Sequence, residues 1–381
     1  MIAYNKTSLY NLVVQSQAKD AKEDGNITAS SFKNILHAHP VDFYSPNIFM
    51  QIGMSILTFI IILAFFGLFF LLLNLNTAVG EFTVFTGVAC YFMLEFLTRQ
   101  KKHYNSGVDN MLMAAVPLLI VTGIGINMNN GEQLLSFLFC IICTFQAIRF
   151  TDRLMALAAA ISFLVFIFNV YSTLGEFTIS SFPSVLVVAS AALYLLAKKF
   201  IHKDSHLFYY SCWAVVEIVG LVSFYASGNY FVIDSISNDA YLLQKESALR
   251  WPYFIWLWTF GIPIVYIVNG IIKKDLLTLR LGIIFTATAI LTYRHYHAIM
   301  PIEFALTIAG SLVLGAAYWL TKYLRTAKQG FVFSTNSKTE DNEENLEGYI
   351  LSEAFAEKPV PVEETGFGGG TFGGAGAGSN Y

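Results

Sequence analysis

The sequence predicts an all-α, polytopic integral membrane bundle of about ten transmembrane helices with both termini cytoplasmic. Three observations carry that expectation. The 381-residue chain is 55% hydrophobic and only 13% charged, where a soluble domain carries about a quarter charged residues. Its apolar residues fall in blocks of spanning length, and blocks of about 18 or more with few charges read as membrane helices. Finally, the basic residues alternate between loops, as the positive-inside rule requires.

The first apolar block begins near Ile48, after a segment too long and too mixed for the charged region of a signal peptide, so the first span is expected to act as its own insertion signal. The expected spans are 48–74, 77–97, 110–127, 133–149, 153–171, 179–200, 207–228, 251–272, 276–295 and 301–322. With this register all but three of the 23 Lys and Arg residues fall on one side. The exceptions are Lys245, Arg250 and Arg294. A single miscounted span would invert every later loop, so the bias supports the count and places both termini inside.

Before the first span, residues 1–46 predict a cytoplasmic helical hairpin. Ser8 to Asp24 holds helix formers and ends at Gly25, a C-terminal cap. Thr28 caps a second helix that stops before Pro40. Leu9, Leu12 and Val13, then Phe32, Ile35 and Leu36, give each an apolar stripe, suited to packing on the membrane domain, 47–325, or on a protein partner. Four lysines and no arginine exclude a DNA-binding reading of the hairpin, and the net charge of −3 leaves no basic domain for nucleic acid. Residues 326–381 form an acidic and then Gly-rich tail, expected to be disordered, with Leu346 to Phe355 able to form a helix on docking to a partner.

Few polar residues lie at lipid depth. Glu217 is placed about ten residues into the seventh span, near the midplane, where a charge costs roughly 2.5–3.5 kcal/mol. It should face the bundle interior, either as a proton or cation relay or as a hydrogen-bonded packing group. Glu95 precedes Arg99 by four residues, an ordinary helix pair, and Glu81 suits the first turn of its helix. The run Tyr293-Arg294-His295-Tyr296-His297, followed by Pro301 and Glu303, joins the last two spans. Arg294 suits a helix C-terminus, and Pro301 and Glu303 suit an N-terminus. The run therefore reads first as a structural clasp. As an external anion, metal or proton-entry site it would use Arg294, His295, His297 and Glu303. The longer loop 229–250 leads into Trp251, Tyr253, Trp256 and Trp258, an interfacial belt or a lid.

Other constellations carry less chemistry. His202 and His206 with Asp204 lack a third metal ligand nearby and read as a solvated loop. Cys140 and Cys143 form a CxxC only in letters, and all four cysteines sit in apolar blocks as packing residues. Cys90-Tyr91 before Glu95 and Cys212-Trp213 before Glu217 hint at an inverted repeat, but the neighbouring spans lose register. No catalytic, dinucleotide or Walker motif is present, so no cofactor is expected.

The order of parts resembles a bacterial family of multi-spanning membrane proteins of unknown function, which begin with a short cytoplasmic helical hairpin. The resemblance rests on the turn Gly25-Asn26-Ile27-Thr28 and on the long first span beginning Ile48-Phe49-Met50-Gln51-Ile52-Gly53. It implies an inner-membrane architecture and no site residues. Two functions fit the sequence. One is a transporter or channel-like protein with Glu217 and the Arg294/Glu303 region on a polar path. The other is a membrane scaffold or sensor working through its cytoplasmic ends.

Overall fold

The computed structural model describes residues 2–23, 25–73, 78–128, 131–173, 177–201, 208–240, 252–273 and 275–297, with scattered positions between 307 and 322. The regular structure among these residues is helical, joined by coil and turns, with one isolated bridge between Tyr44 and His103. Most of the expected tenth span, the tail, the His202–His206 loop, Trp251, Pro301 and Glu303 lie outside the described residues.

The N-terminal segment folds as α1 (Lys6–Glu23) and α2 (Ala29–Ala38). Gly25 takes φ +72°, Asn26 N–H donates to Ala21 O and Gly25 N–H to Lys22 O. This pair of bonds closes the helix end and needs a left-handed residue at Gly25. Thr28 Oγ1 accepts from Ser31 N–H at 3.2 Å and opens α2. Asn11 and Gln15 of α1 donate to Pro40 O and His39 O, each at 2.7 Å, which folds the two helices together.

Ten helices follow, most of them long and apolar: α3 (Ile48–Leu73), α4 (Val79–Gln100), α5 (Val108–Ile126), α6 (Glu132–Phe150), α7 (Arg153–Ser172), α8 (Phe177–Ile201), α9 (Tyr210–Ala226), the short α10 (Tyr230–Ala240), α11 (Pro252–Lys273) and α12 (Leu276–Tyr296) among the described residues. Among the described residues, eight of these are long and apolar enough to cross a membrane, and α9 is a shorter apolar helix. Two differences from the sequence reading stand out. The seventh expected span is trimmed to 17 residues. The loop after it begins with α10, because Asn229 Oδ1 accepts from Phe231 N–H at 3.0 Å and Thr259 Oγ1 accepts from Tyr230 N–H at 3.0 Å, which satisfies the first free amides of a new helix.

Packing proceeds by antiparallel hairpins, α4 with α5, α6 with α7, α8 with α9 and α11 with α12. Lipid tails are as apolar as leucine, so helices associate through close backbone approach rather than through the hydrophobic effect. Gly80 and Gly123 supply it for α4 and α5: a Cβ on Gly123 would lie 2.6 Å from Gly80 O. By contrast α3 leaves most of its surface exposed and touches the rest mainly through α5. It is tied there by Ser55 Oγ donating to Gly107 O at 3.0 Å. Gly107 has φ +91°, and a Cβ would fall 2.0 Å from Gln51 O.

One end of the bundle collects the basic connections. Tyr44 exchanges backbone bonds with Lys102 and Tyr104 of the α4–α5 loop, and Ala3 N–H donates to Arg149 O at the end of α6. Tyr209 Oη donates to Ile148 O. The α1–α2 hairpin is therefore seated on this basic end, with Tyr4 and Leu9 buried among Leu94, Leu97, Leu112 and Phe150. The opposite, aromatic end holds α10 and the C-terminus of α12.

Enlarging Gly123 to Leu is expected to destabilise the protein by about 2 kcal/mol through overpacking against α4. Gly67→Leu on α3, where a side chain meets nothing within 4 Å, should be neutral. Thermal unfolding in detergent compares them, and equal melting of the two variants would refute glycine-mediated packing.

Candidate functional site

Glu217 is turned into the bundle and paired. Its side chain is 5% exposed, and Lys198 Nζ, from the last turn of α8, stands 2.7 Å from its Oε1. The approach is oblique, so the contact is an ion pair rather than an aligned hydrogen bond. The same ammonium lies 3.2 Å from Asp275 Oδ2. Asp275 is also the N-cap of α12: Oδ1 accepts from Leu277 N–H at 3.1 Å, and Oδ2 accepts from Thr278 Oγ1 at 2.9 Å. One lysine thus joins α8, α9 and α12.

The local sequence makes this reach possible. Gly220, one turn beyond Glu217, faces the α8 backbone, where an added Cβ would sit 2.9 Å from Tyr194 N. Tyr194 precedes Lys198 by one turn, and its ring lies 5.9 Å from the ammonium. Close approach at Gly220 therefore brings Glu217 within reach of Lys198. Lys198 comes from the last turn of α8 and Asp275 from the cap of α12, whereas Glu217 is the eighth of the 17 residues of α9, at its middle.

Beside the triad lies a cavity of about 320 Å³ between α8, α9, α11 and α12. Its walls are Ala191, Leu195, Leu221 and Phe224 with the ring of Tyr266, and its polar lining is Asn269, Lys273, Asp275 and Thr278. Tyr266 Oη is already committed to Leu221 O at 3.1 Å. The size and the mix of apolar walls with a few polar groups are those of a small-molecule site.

A second polar cluster, which the sequence reading did not single out, sits under the N-terminal hairpin. Asp109 is wholly buried: its Oδ1 accepts from Ser106 N–H at 2.8 Å and Ser106 Oγ at 2.9 Å. Its Oδ2 has no hydrogen-bond partner among the described residues. The Ser106-x-x-Asp109 spacing at a helix start is the signal that could have found it. Burial raises the Asp152 carboxyl at the start of α7, against the pull of the Met155 and Leu154 N–H groups, and it raises the Tyr4 and Tyr104 hydroxyls. Glu95, expected to pair with Arg99 alone, is shared: Arg99 Nε lies 2.6 Å from Oε1, and Arg149 binds the same carboxylate. Glu81 accepts from Asn127 Nδ2 at 3.0 Å.

The Tyr293–His297 run lies at the aromatic end. Tyr296 Oη donates to Asp234 Oδ2 at 2.6 Å. Trp256 stacks on Tyr230 with centroids 4.5 Å apart and meets Tyr293 and His297. His295 meets Phe231 edge-on. Arg294 is half-buried and makes no ion pair with a described residue. Glu303 lies outside the described residues, so the expected Arg294–Glu303 clasp has no described geometry. Nineteen residues of α12 separate Asp275 from Arg294, about 28 Å along the axis. Glu217 and the Arg294, His295 and His297 group are therefore two places and not one. The Glu95 and Glu217 pairs both sit at the basic end, where an inverted repeat would set them at opposite ends. No group of three potential metal ligands occurs among the described residues.

Compared with known proteins, the chain matches no family model, no curated protein and no solved structure.

Two outcomes test the triad. Lys198→Met strands the Glu217 carboxylate and is expected to cost about 3 kcal/mol, most of which Lys198→Met with Glu217→Leu should restore; unfolding in mixed micelles measures both, and an additive double variant would contradict the pairing. The second concerns pH. Burial alone would raise the Asp275 carboxyl, but the Thr278 hydroxyl, Lys198 and the Thr278 N–H outweigh it and hold the group below its usual range. A lowered folded value stabilises fully above the unfolded value of about 3.9, and that stability is lost as pH falls through the folded value. Asp275→Asn should therefore flatten the acid limb of a stability–pH profile below about pH 4, at a general cost of a few tenths of a kcal/mol from the weaker cap.

Proposed function

We propose that the chain is a transporter or channel-like protein of the bacterial inner membrane, with about ten spans and both termini inside, in which the Lys198–Glu217–Asp275 triad is the ion- or proton-responsive element. The observation that carries the reading is a charged triad, two carboxylates on one ammonium, set against a ligand-sized cavity between helices. With two acids facing one cation, the group is short of positive charge, and a proton or small cation restores balance. Gain or loss of that charge alters how tightly α8 and α9 hold to the start of α12. Such a contact converts occupancy into helix movement.

The basic loops gathered at one end support placing that end in the cytoplasm. The likeness of the N-terminal hairpin to the bacterial family rests on the Gly25–Thr28 turn and the first span. The outer-end group, Arg294 with His295 and His297, belongs to this proposal only as a remote entry site, since it is set about 28 Å from Asp275 along α12.

Glu217→Gln is expected to abolish proton-coupled flux in proteoliposomes containing a pH-sensitive dye, screened against candidate substrates under an imposed pH gradient, while size-exclusion behaviour and helicity stay unchanged. Flux equal to that of the unaltered protein would overturn the relay. A protein that moves nothing in either form, yet loses a bound partner when residues 326–381 are removed, would favour the scaffold function.

A further inference from the structure

The cavity beside the triad has an end whose polar groups are unused. Asn269 and Lys273 lie one turn apart on α11 and both line it. Neither makes a hydrogen bond or ion pair with a described residue, although Asn269 is half-buried and Lys273 is exposed at the helix end. Lysines at the ends of spanning helices commonly reach toward water on their own, which would account for Lys273 but not for an amide one turn deeper on the same face. Asp275 and Tyr266, which also line the space, are already engaged, by Lys198 with Thr278 and by Leu221 O respectively.

We propose that this cavity binds an anionic amphiphile, with its carboxylate or phosphate head held by Lys273 and Asn269 and its acyl portion lying against Ala191, Leu221, Phe224 and Tyr266. Lys273 and Asn269 beside apolar walls select that class, the Asp275 carboxylate on the same lining being held by Lys198 and Thr278. A free ammonium with a neighbouring amide donor suits an anionic oxygen pair. A single cation and apolar walls suit one small head with a hydrocarbon chain, not a polyanionic nucleotide, whose phosphates call for several cations or an array of backbone amides. A cavity of about 320 Å³ holds about ten water-sized groups, enough for a head and a medium chain segment. This inference deepens the transport reading by naming the class of ligand, and it rests on that reading for the cavity's role. Its test uses binding alone.

The test uses the full chain in phosphatidylcholine nanodiscs with laurate as the probe, in radiolabelled form for affinity and with a chain diazirine for cross-linking. Saturable binding is expected, with cross-links in the 220–224 segment, displaced by unlabelled laurate and not by dodecanol. Lys273→Gln should weaken it about tenfold, as loss of one charge-assisted contact implies, and Lys273→Arg should retain it. Ala191→Phe, which fills the space and keeps both head-binding groups, should also abolish the 220–224 cross-links. Displacement of laurate from these residues by phosphatidylglycerol added to the nanodiscs would identify a lipid phosphate head, rather than a free carboxylate, as the natural form of the same chemistry. Unchanged affinity in Lys273→Gln, or equal displacement by dodecanol, would overturn the proposal. Failed binding with intact Glu217-dependent flux would sink the ligand class alone, and intact binding without flux would sink transport alone.

Discussion

A charged carboxylate inside a bundle of apolar helices needs a partner, and Lys198, placed between Glu217 and Asp275, supplies it to both acids. The pairing dictates more than one contact. Lys198 can serve both acids only if the end of α8, the first half of α9 and the start of α12 converge, so the register of three helices is set by one ammonium. Asp275 gains a second use, because the oxygens that face Lys198 also cap the free amides of α12. Moving either acid by a turn would cost both the ion contact and, for Asp275, the cap.

Convergence at one end leaves space further along. The α8–α9 hairpin is drawn tight by Gly220, and α11 lies against α12 through Gly282, where an added Cβ would meet Ile267 at 2.8 Å. The two hairpins are held to each other at the triad, by the aromatic stack of Tyr225 on Phe285, and by hydrogen bonds from Tyr266 to Leu221 O and from Tyr225 to Phe285 O. The cavity occupies the seam between them. It is a consequence of building a bundle from close-packed pairs: the small residues that bring two helices together are spent inside the pair, and larger side chains such as Phe224 and Tyr266 face the next one.

What the sequence could show follows the same division between local and tertiary physics. Hydropathy blocks and basic loops were legible because each is a property of a contiguous stretch facing one solvent. Gly25 and Thr28 were legible because caps are decided within a few residues, and both act as expected. Glu217 was recognised as needing a partner, but the partner was not legible. Lys198 lies 19 positions earlier and Asp275 58 positions later, and nothing local distinguishes either from an ordinary basic or acidic loop residue. Arg149 joining Glu95 was hidden for the same reason. The α10 helix escaped because its start depends on Thr259, a hydroxyl from another helix.

The two ends of α12 differ in the kind of contact that closes them, and the difference bears on how the bundle can move. At the aromatic end, Trp256, Tyr230, Tyr293 and Tyr296 meet through stacked and edge-on faces, with the Tyr296–Asp234 hydrogen bond added. Such ring contacts contribute about 0.5–1.5 kcal/mol each, and buried Asn229 adds hydrogen bonds to Tyr225 Oη and Thr292 Oγ1. At the basic end, separating Lys198 from Glu217 leaves a buried charge, at a cost of about 3–5 kcal/mol unless a proton or another cation takes its place. The triad therefore sets the largest single penalty against separating α8 and α9 from the start of α12. A proton on Glu217, or another cation beside it, removes the penalty. Under the transport reading proposed above, that event would release the contact of α8 and α9 with the start of α12 beside the cavity, and the need to satisfy a buried acid would be the means of coupling charge to movement.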